Sequence, residues 1–92
     1  MGFTLEELDG YKQGERYEKA LEFVEMFGNA NNRSLVMKDE DGVSLLWTTR
    51  DSSTAYKNFK LKGAYTFTVK TILDVEDMSI PRINIGNVRV EK

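Results

Sequence analysis

The sequence predicts a small, mostly β domain, and three of its segments carry that prediction. Residues 34–49, "SLVMKDEDGVSLLWTT", place two apolar runs around an acidic, glycine-containing tip, as a β-hairpin does. Residues 61–73 alternate apolar and polar positions over a length typical of a strand with one buried face. Residues 83–90 contain two short runs in which apolar and other residues alternate. The alternation shifts by one residue at Gly86-Asn87, as a β-bulge requires.

Length and composition limit the class of protein. The chain has 92 residues, 40% hydrophobic and 30% charged, which is typical of one globular domain with a modest core. It has no apolar run of about 20 residues and no segment that reads as a signal peptide. The absence of Cys excludes disulfides and thiolate metal sites. We therefore expect a cytoplasmic protein, located in the host cytoplasm if the gene is viral.

The first 14 residues predict an N-terminal arm that carries a short helix over residues 4–9. Thr4 is a suitable N-cap, and two glutamates follow in the first turn, where the helix dipole favours anions. Two glycines then interrupt the chain. The predicted domain organisation is an N-terminal arm over 1–14, in which the glycines favour flexibility, followed by the folded β domain over 15–92.

Residues 15–27, "ERYEKALEFVEMF", fit two patterns. A helical stripe at spacings of three and four is formed by Tyr17, Ala20, Leu21, Val24 and Phe27. The strand alternation of Tyr17, Leu21, Phe23 and Phe27 is interrupted by charged residues, so local periodicity alone favours a helix. A turn-rich loop, "GNANN", follows over 28–32.

The hairpin over 34–49 is the clearest local signal. Gly42 ends its acidic tip and is suited to a backbone position with positive φ. Trp47 shares the face of the second strand that carries Val43 and Leu45. Two aspartates at the tip are spaced as in a calcium loop, but the remaining ligands and the closing glutamate are missing, so no metal site is predicted.

The C-terminal half predicts a short capped turn and two strands. Residues 50–58 are polar, and a serine or threonine within them can cap a short helix or turn. One face of the strand over 61–73 is predicted to carry Leu61, Tyr65, Phe67, Val69, Thr71 and Leu73. Residues 74–81 read as an acidic loop whose Pro81 suits the start or edge of a strand.

Taken in order, four segments resemble the OB-fold modules of phage and plasmid proteins: "GERYEKALEFVEMF", "SLVMKDEDGVSLLWTT", "FKLKGAYTFTVK" and "PRINIGNVRV". The resemblance covers roughly residues 14–91. It implies a five-stranded Greek-key barrel in which 15–27 is the first strand, against the local helical stripe. A closed barrel also needs a fifth strand, which only 15–27 can supply. The alternative is an α+β domain with one helix on a four-stranded antiparallel sheet.

The residues that alternate onto the inward face of each predicted strand are expected to form the barrel core. Its members are Leu21, Phe23, Leu35, Met37, Leu45, Tyr65, Phe67, Val69, Ile83, Ile85, Val88 and Val90.

The resemblance implies that the chain binds single-stranded DNA or RNA, as a non-catalytic accessory module of a phage or mobile element. OB-folds bind single strands by aromatic stacking and a cationic groove on the second and third strands. Candidate binding residues are Arg33, Lys38, Trp47, Arg50, Tyr56 and Lys57. Trp47 also fits a core position, because its face is apolar. Residues 44–73 carry one acid and five bases, which permits a local positive stripe on a chain of net charge −2.

Other function classes have weaker support. The chain has no His, no Cys and no glycine-rich phosphate loop, so we expect neither catalysis nor a cofactor. The alternative function is a small acidic protein-interaction or inhibitor module that caps a partner protein. It is favoured by seven acids against three bases in residues 1–28 and by the acidic loop at 74–77.

Overall fold

The computed structural model describes residues 3–74 and 81–91. Within them the chain forms short strands, long strands and one helical turn: β1 (Phe3–Thr4), β2 (Glu7–Leu8), β3 (Tyr11–Lys12), β4 (Arg16–Asn29), β5 (Asn32–Lys38), β6 (Ser44–Thr49), α1 (Thr54–Lys57), β7 (Lys62–Asp74) and β8 (Ile83–Val90). No helix in the described part of the chain is long and apolar enough to cross a membrane.

Five strands close into a barrel in the order β4–β5–β6–β8–β7, with β7 returning to β4. Every pair is antiparallel except β6 and β8, which run parallel. Helix α1 lies in the connection between β6 and β7. This is an all-β, OB-like barrel, so the predicted fold class is confirmed, and the alternative of one helix on a four-stranded sheet is wrong.

Strand β4 forms despite its helical periodicity because it pairs along its whole length. Its residues 16–22 pair with β7, and its residues 22–29 pair with β5. These hydrogen bonds with two neighbours outweigh the local helical preference. One extra residue, Val24, separates the Phe23–Met37 pair from the Glu25–Val36 pair, so β4 contains a β-bulge. The prediction of a strand over 15–27 is therefore confirmed.

The barrel core contains most of the predicted residues. Its buried hydrophobic members are Tyr11, Leu21, Leu35, Met37, Leu45, Trp47, Tyr65, Phe67, Val69, Ile72, Ile83 and Ile85. The other three predicted core residues, Phe23, Val88 and Val90, are partly buried and pack against this cluster. Burying large side chains from every barrel strand stabilises the closed form, since each contributes roughly 1.5–3 kcal/mol of transfer free energy.

Two bulges adjust the phase of β7 and β8. Val69 pairs with Ile85 and Thr71 with Asn84, so Lys70 is an extra residue in β7. The slip turns Ile72 into the core, and the prediction that Thr71 and Leu73 share the buried face is therefore wrong. Leu61, predicted on the same face, is 68% exposed because it precedes the strand.

The bulge predicted at Gly86-Asn87 is confirmed. Thr66 pairs with Arg89 and Thr68 with Gly86, which leaves one extra residue in β8. Asn87 adopts φ 49°, a left-handed conformation that Asn tolerates better than most residues.

The predicted helix over residues 4–9 is wrong, because the arm forms short strands. Asp9 and Gly10 both have positive φ, and their two-residue turn joins β2 to β3 through the Leu8–Tyr11 pair. A helix cannot continue through two left-handed residues. Tyr11 is 2% exposed, and its hydroxyl donates a 2.6 Å hydrogen bond to Asp39 Oδ2, so the arm is packed on the barrel.

Gly42 has φ 85°, as the hairpin pattern predicts, and no heavy atom would contact a Cβ placed there. Replacing Gly42 with Val should therefore destabilise the protein by at least about 1 kcal/mol through backbone strain alone. Urea denaturation measures the change, with Gly42→Asn as the control because Asn tolerates positive φ. Equal stability of the Val variant and the native protein would contradict the strain argument.

Candidate nucleic-acid interface

The outward side chains of β5, β6 and the second half of β4 form one surface, here called the front face. Cross-strand pairing arranges them in three rows: Phe27–Ser34–Thr48, Glu25–Val36–Leu46 and Glu22–Lys38–Ser44. In the two intervening rows, the β5 and β6 residues point into the barrel and are buried: Leu35, Met37, Leu45 and Trp47. The front face contains the second and third barrel strands, β5 and β6, on which OB-folds bind oligonucleotides, and adds the end of the first barrel strand, β4.

Phe27 is the exposed aromatic residue of the front face, and it is absent from the predicted site. Unbroken alternation from Phe23 would turn Phe27 into the core. The bulge at Val24 reverses the phase, so Phe27 pairs with Ser34 and is 51% exposed. The interruption of the alternation in "EFVEMF" is the sequence signal that could have located the bulge.

Two of the predicted cationic residues lie at opposite ends of the front face. Lys38 ends β5 and is exposed. Arg50 is exposed and follows Thr49, which pairs with Arg33 near the start of β5. Six residues of strand separate the Lys38 end of the front face from the Arg50 end. At ~3.3 Å per residue, the distance between the two ends is about 20 Å. Phe27 and its row lie between the two positive charges.

A groove of about 510 Å³ extends the front face at its Lys38 end. Val24, Val36 and Ile83 supply apolar surface, and Arg82 adds a second cation beside Lys38. Its acidic lining residues are Asp9, Glu25 and Asp41. The groove thus combines apolar surface with charges of both signs.

Trp47 lies inside the barrel. It is 3% exposed, and its ring centroid lies 6.4 Å from that of Tyr65 in an edge-to-face arrangement. A base cannot stack on a ring that is enclosed by the core, so Trp47 acts as a packing residue of the barrel interior.

Arg33 is committed to contacts within the protein. Its Nε and Nη2 donate to Asp51 Oδ1 and Oδ2 at 3.0 and 2.9 Å, in a bidentate ion pair. The guanidinium also lies 5.9 Å from the Tyr56 ring centroid. The hydrogen bonds from Arg33 lower the pKa of the Asp51 carboxyl below its usual value. The pair neutralises the charge of Arg33 and fixes the loop that carries Arg50.

Tyr56 and Lys57 belong to α1, the short turn predicted from the serine-rich loop. Ser53 caps α1 by accepting a hydrogen bond from the Tyr56 amide. The Tyr56 ring stacks on Phe59, with centroids 5.6 Å apart, and its hydroxyl donates to Met26 Sδ at 3.3 Å. Tyr56 therefore covers one end of the barrel, whereas Lys57 is exposed on the helix.

The acidic tip of the β5–β6 hairpin is organised by Asp39. Its Oδ1 accepts hydrogen bonds from the Asp41 and Val43 amides, both at 2.9 Å, and its Oδ2 accepts from Tyr11. The carboxylate is thus occupied by protein donors. Its contacts are those of a turn-stabilising Asp that also anchors the arm.

The five bases of residues 44–73 are dispersed over the barrel. Arg50 follows β6 at one end of the front face and Lys57 lies on α1, whereas Lys60 Nζ donates to the Glu91 carbonyl at 2.9 Å. Lys62 and Lys70 belong to β7, on another side of the barrel. The front face itself also carries two glutamates, so its net charge is close to zero.

No protein-family model, curated protein or solved structure shows a match to this chain. The features that bear on function are therefore the barrel topology and the front face, where exposed Phe27 lies between two cationic ends.

Proposed function

We propose that the protein is a non-catalytic accessory module that binds single-stranded nucleic acid on its front face, of the kind found in phage or mobile-element proteins. The observation that carries the proposal is the position of Phe27, exposed near the end of the first barrel strand beside the second, in a row between the Lys38 and Arg50 ends of the front face. The binding residues are Phe27, Lys38 and Arg50.

Stacking on Phe27 is the main attractive contact in this proposal. A base that covers an exposed aromatic ring contributes roughly 1–3 kcal/mol and does so for any base. Ser34 and Thr48, in the same row, offer hydroxyl groups to phosphate or sugar oxygens. The separation of about 20 Å between the two cationic ends accommodates a segment of only a few nucleotides.

Electrostatics make this binding weak and sensitive to salt. Lys38 and Arg50 each neutralise one phosphate, and every such contact on a single strand adds about −0.7 to the slope of log affinity against log salt. Glu22 and Glu25 lie in adjacent rows and repel the strand. Replacing Glu25 with Gln is therefore expected to strengthen binding.

Replacing Phe27 with Ala should weaken binding to a fluorescein-labelled dT or U oligomer by roughly 5- to 150-fold, which corresponds to ~1–3 kcal/mol of stacking. Fluorescence anisotropy at low and moderate salt measures the affinity. The matched control is Phe27→Leu, which keeps the apolar side chain and removes the aromatic face. Because Trp47 is buried, its fluorescence is expected to change little on binding.

The proposal fails if the native protein at ~100 µM shows no anisotropy change with DNA or RNA at low salt. It also fails if the Lys38→Glu, Arg50→Glu double variant, with an unchanged denaturation curve, binds as tightly as the native protein. Both side chains are exposed and make no ion pair within the described residues, so this variant is expected to fold.

The alternative, a protein-interaction module, is favoured by a separate observation. Val24, Met26 and Phe27 are 49%, 37% and 51% exposed along the second half of β4, next to acidic Glu25. Exposed apolar side chains beside a carboxylate suit a partner protein that offers apolar and basic groups. Phe27→Leu separates the two functions, because it preserves apolar contact with a protein but removes the stacking surface for a base.

A further inference from the structure

A second cationic surface lies on the β7–β8 side of the barrel, away from the residues of the front face. Arg16, near the start of β4, pairs with Thr68 of β7, which in turn pairs with Gly86 of β8. Arg16 Nη1 donates to Thr68 Oγ1 at 2.9 Å and to the Asn87 carbonyl at 3.1 Å. The guanidinium is therefore held across three strands.

Lys70 reaches the same point from the bulge in β7. A Cβ at Gly86 would overlap the Lys70 side chain, and Lys70 Nζ would lie 2.9 Å from that Cβ. Gly86 itself is buried beneath this side chain. The absence of a side chain at Gly86 thus lets Lys70 lie flat on the sheet. The bulge at Lys70 and the bulge at Gly86-Asn87 together form what we call the double bulge.

The charges at the double bulge are not neutralised by the described part of the chain. Arg16 bonds only neutral oxygens there, and neither Arg16 nor Lys70 forms an ion pair with a described residue. The adjacent row pairs Glu18 with Thr66 and Thr66 with Arg89, so it adds one acid and one base. Two cations that both reach the Thr68–Gly86 pair repel each other unless an anion lies between them.

We propose that the double bulge binds a phosphate group, with Arg16 and Lys70 as charge-assisted donors. A guanidinium and an ammonium are the two side-chain groups that bind phosphate oxygens most strongly. Bulges commonly re-aim side chains next to binding sites, and here they direct both cations to the Thr68–Gly86 pair. The phosphate is either part of a nucleic-acid backbone or a free phosphate. The site does not depend on the front face.

A titration of ¹⁵N-labelled protein with sodium phosphate, against sodium chloride at equal ionic strength, tests the proposal. Phosphate is expected to shift the amide signals of Thr68, Lys70, Gly86 and Asn87 in a saturable manner, and chloride is not. Lys70→Gln should reduce the affinity for phosphate at least several-fold. Lys62→Gln is the matched control, because it removes one exposed lysine from the same strand at a distance from the bulge.

Gly86→Ala provides a test that leaves every charge in place. The added methyl group displaces Lys70 from the sheet, so phosphate binding is expected to weaken although net charge is unchanged. Shifts spread evenly over all lysine-rich segments, or equal losses in Lys62→Gln and Lys70→Gln, would overturn the proposal. The comparison of phosphate with chloride on the native protein decides the matter even if a variant fails to fold.

An oligonucleotide arm identifies the source of the phosphate. Oligo-dT is added to the Lys38→Glu, Arg50→Glu variant, in which the front face is disabled. Shifts at the double bulge in that variant identify a backbone phosphate, whereas shifts with inorganic phosphate alone identify a free phosphate. The absence of shifts with either probe contradicts the site and leaves the front-face proposal unaffected.

Discussion

Replacing Phe67 with Ala is expected to lower the free energy of unfolding by about 3–5 kcal/mol, the typical cost of removing a large aromatic side chain from a core. Phe67 is fully buried in β7. Its ring centroid lies 6.0 Å from that of Tyr11 and 6.2 Å from that of Tyr17. The loss combines the transfer free energy of the ring with the cavity left among these neighbours.

Urea denaturation followed by circular dichroism measures the effect. Phe67→Leu is the matched control, because it keeps an apolar side chain at the position and should cost less than the alanine variant. A loss below about 1 kcal/mol for Phe67→Ala would show that the strand phase assigned to β7 is incorrect.

Replacing Tyr11 with Ala is expected to cost about 3 kcal/mol or more, although the residue lies in the N-terminal arm. The centroid of its ring lies 5.1 Å from that of Tyr17 and 6.0 Å from that of Phe67. Its hydroxyl donates a hydrogen bond to Asp39. Tyr11→Phe is the matched control. It keeps the ring and removes only the hydrogen bond, for an expected loss of about 1–2 kcal/mol. A loss within 0–1 kcal/mol for the alanine variant would mean that the arm does not unfold with the barrel.

The same residue has a consequence for alkaline stability. Burial, and then the hydrogen bond to Asp39, raise the pKa of the Tyr11 phenol above its ordinary value of 10.0. The unfolded chain therefore releases this proton at lower pH than the folded chain does. The raised pKa of Tyr11 therefore contributes to the free energy of unfolding. This contribution is fully present below pH 10 and is lost as the pH rises above 10. Tyr11→Phe is expected to be less sensitive to pH in that range.

The strands of this barrel could be predicted where the sequence alternates without interruption. The β5–β6 hairpin, the first half of β7 and the bulge at Gly86-Asn87 follow directly from apolar spacing and turn chemistry. The N-terminal turn was predictable from Asp9-Gly10, a strong hairpin dipeptide, but the helix-like acidic residues before it pointed to another structure. The strand at β4 depended on the resemblance, because the first half of β4 pairs with β7, which is distant in sequence.

The candidate site was harder to predict than the fold. Lys38 and Arg50 could be placed because the ends of a hairpin are exposed. Phe27 could not, because a single inserted residue at Val24 decides which side of the sheet it occupies. The pairing of Arg33 with Asp51 was also hidden, since it links residues that only the closed barrel brings together.

The parallel pairing of β6 with β8 has a consequence for how the chain acquires this structure. Among the barrel strands β8 comes last along the chain, and it completes the hydrogen bonding of both β6 and β7. A ribosome-bound chain that lacks β8 has two strand edges open, and such edges pair readily with other chains. Closure of the barrel must therefore follow the synthesis of residues 83–90. Because the contacts that close it are distant in sequence, we expect folding in milliseconds to seconds rather than microseconds.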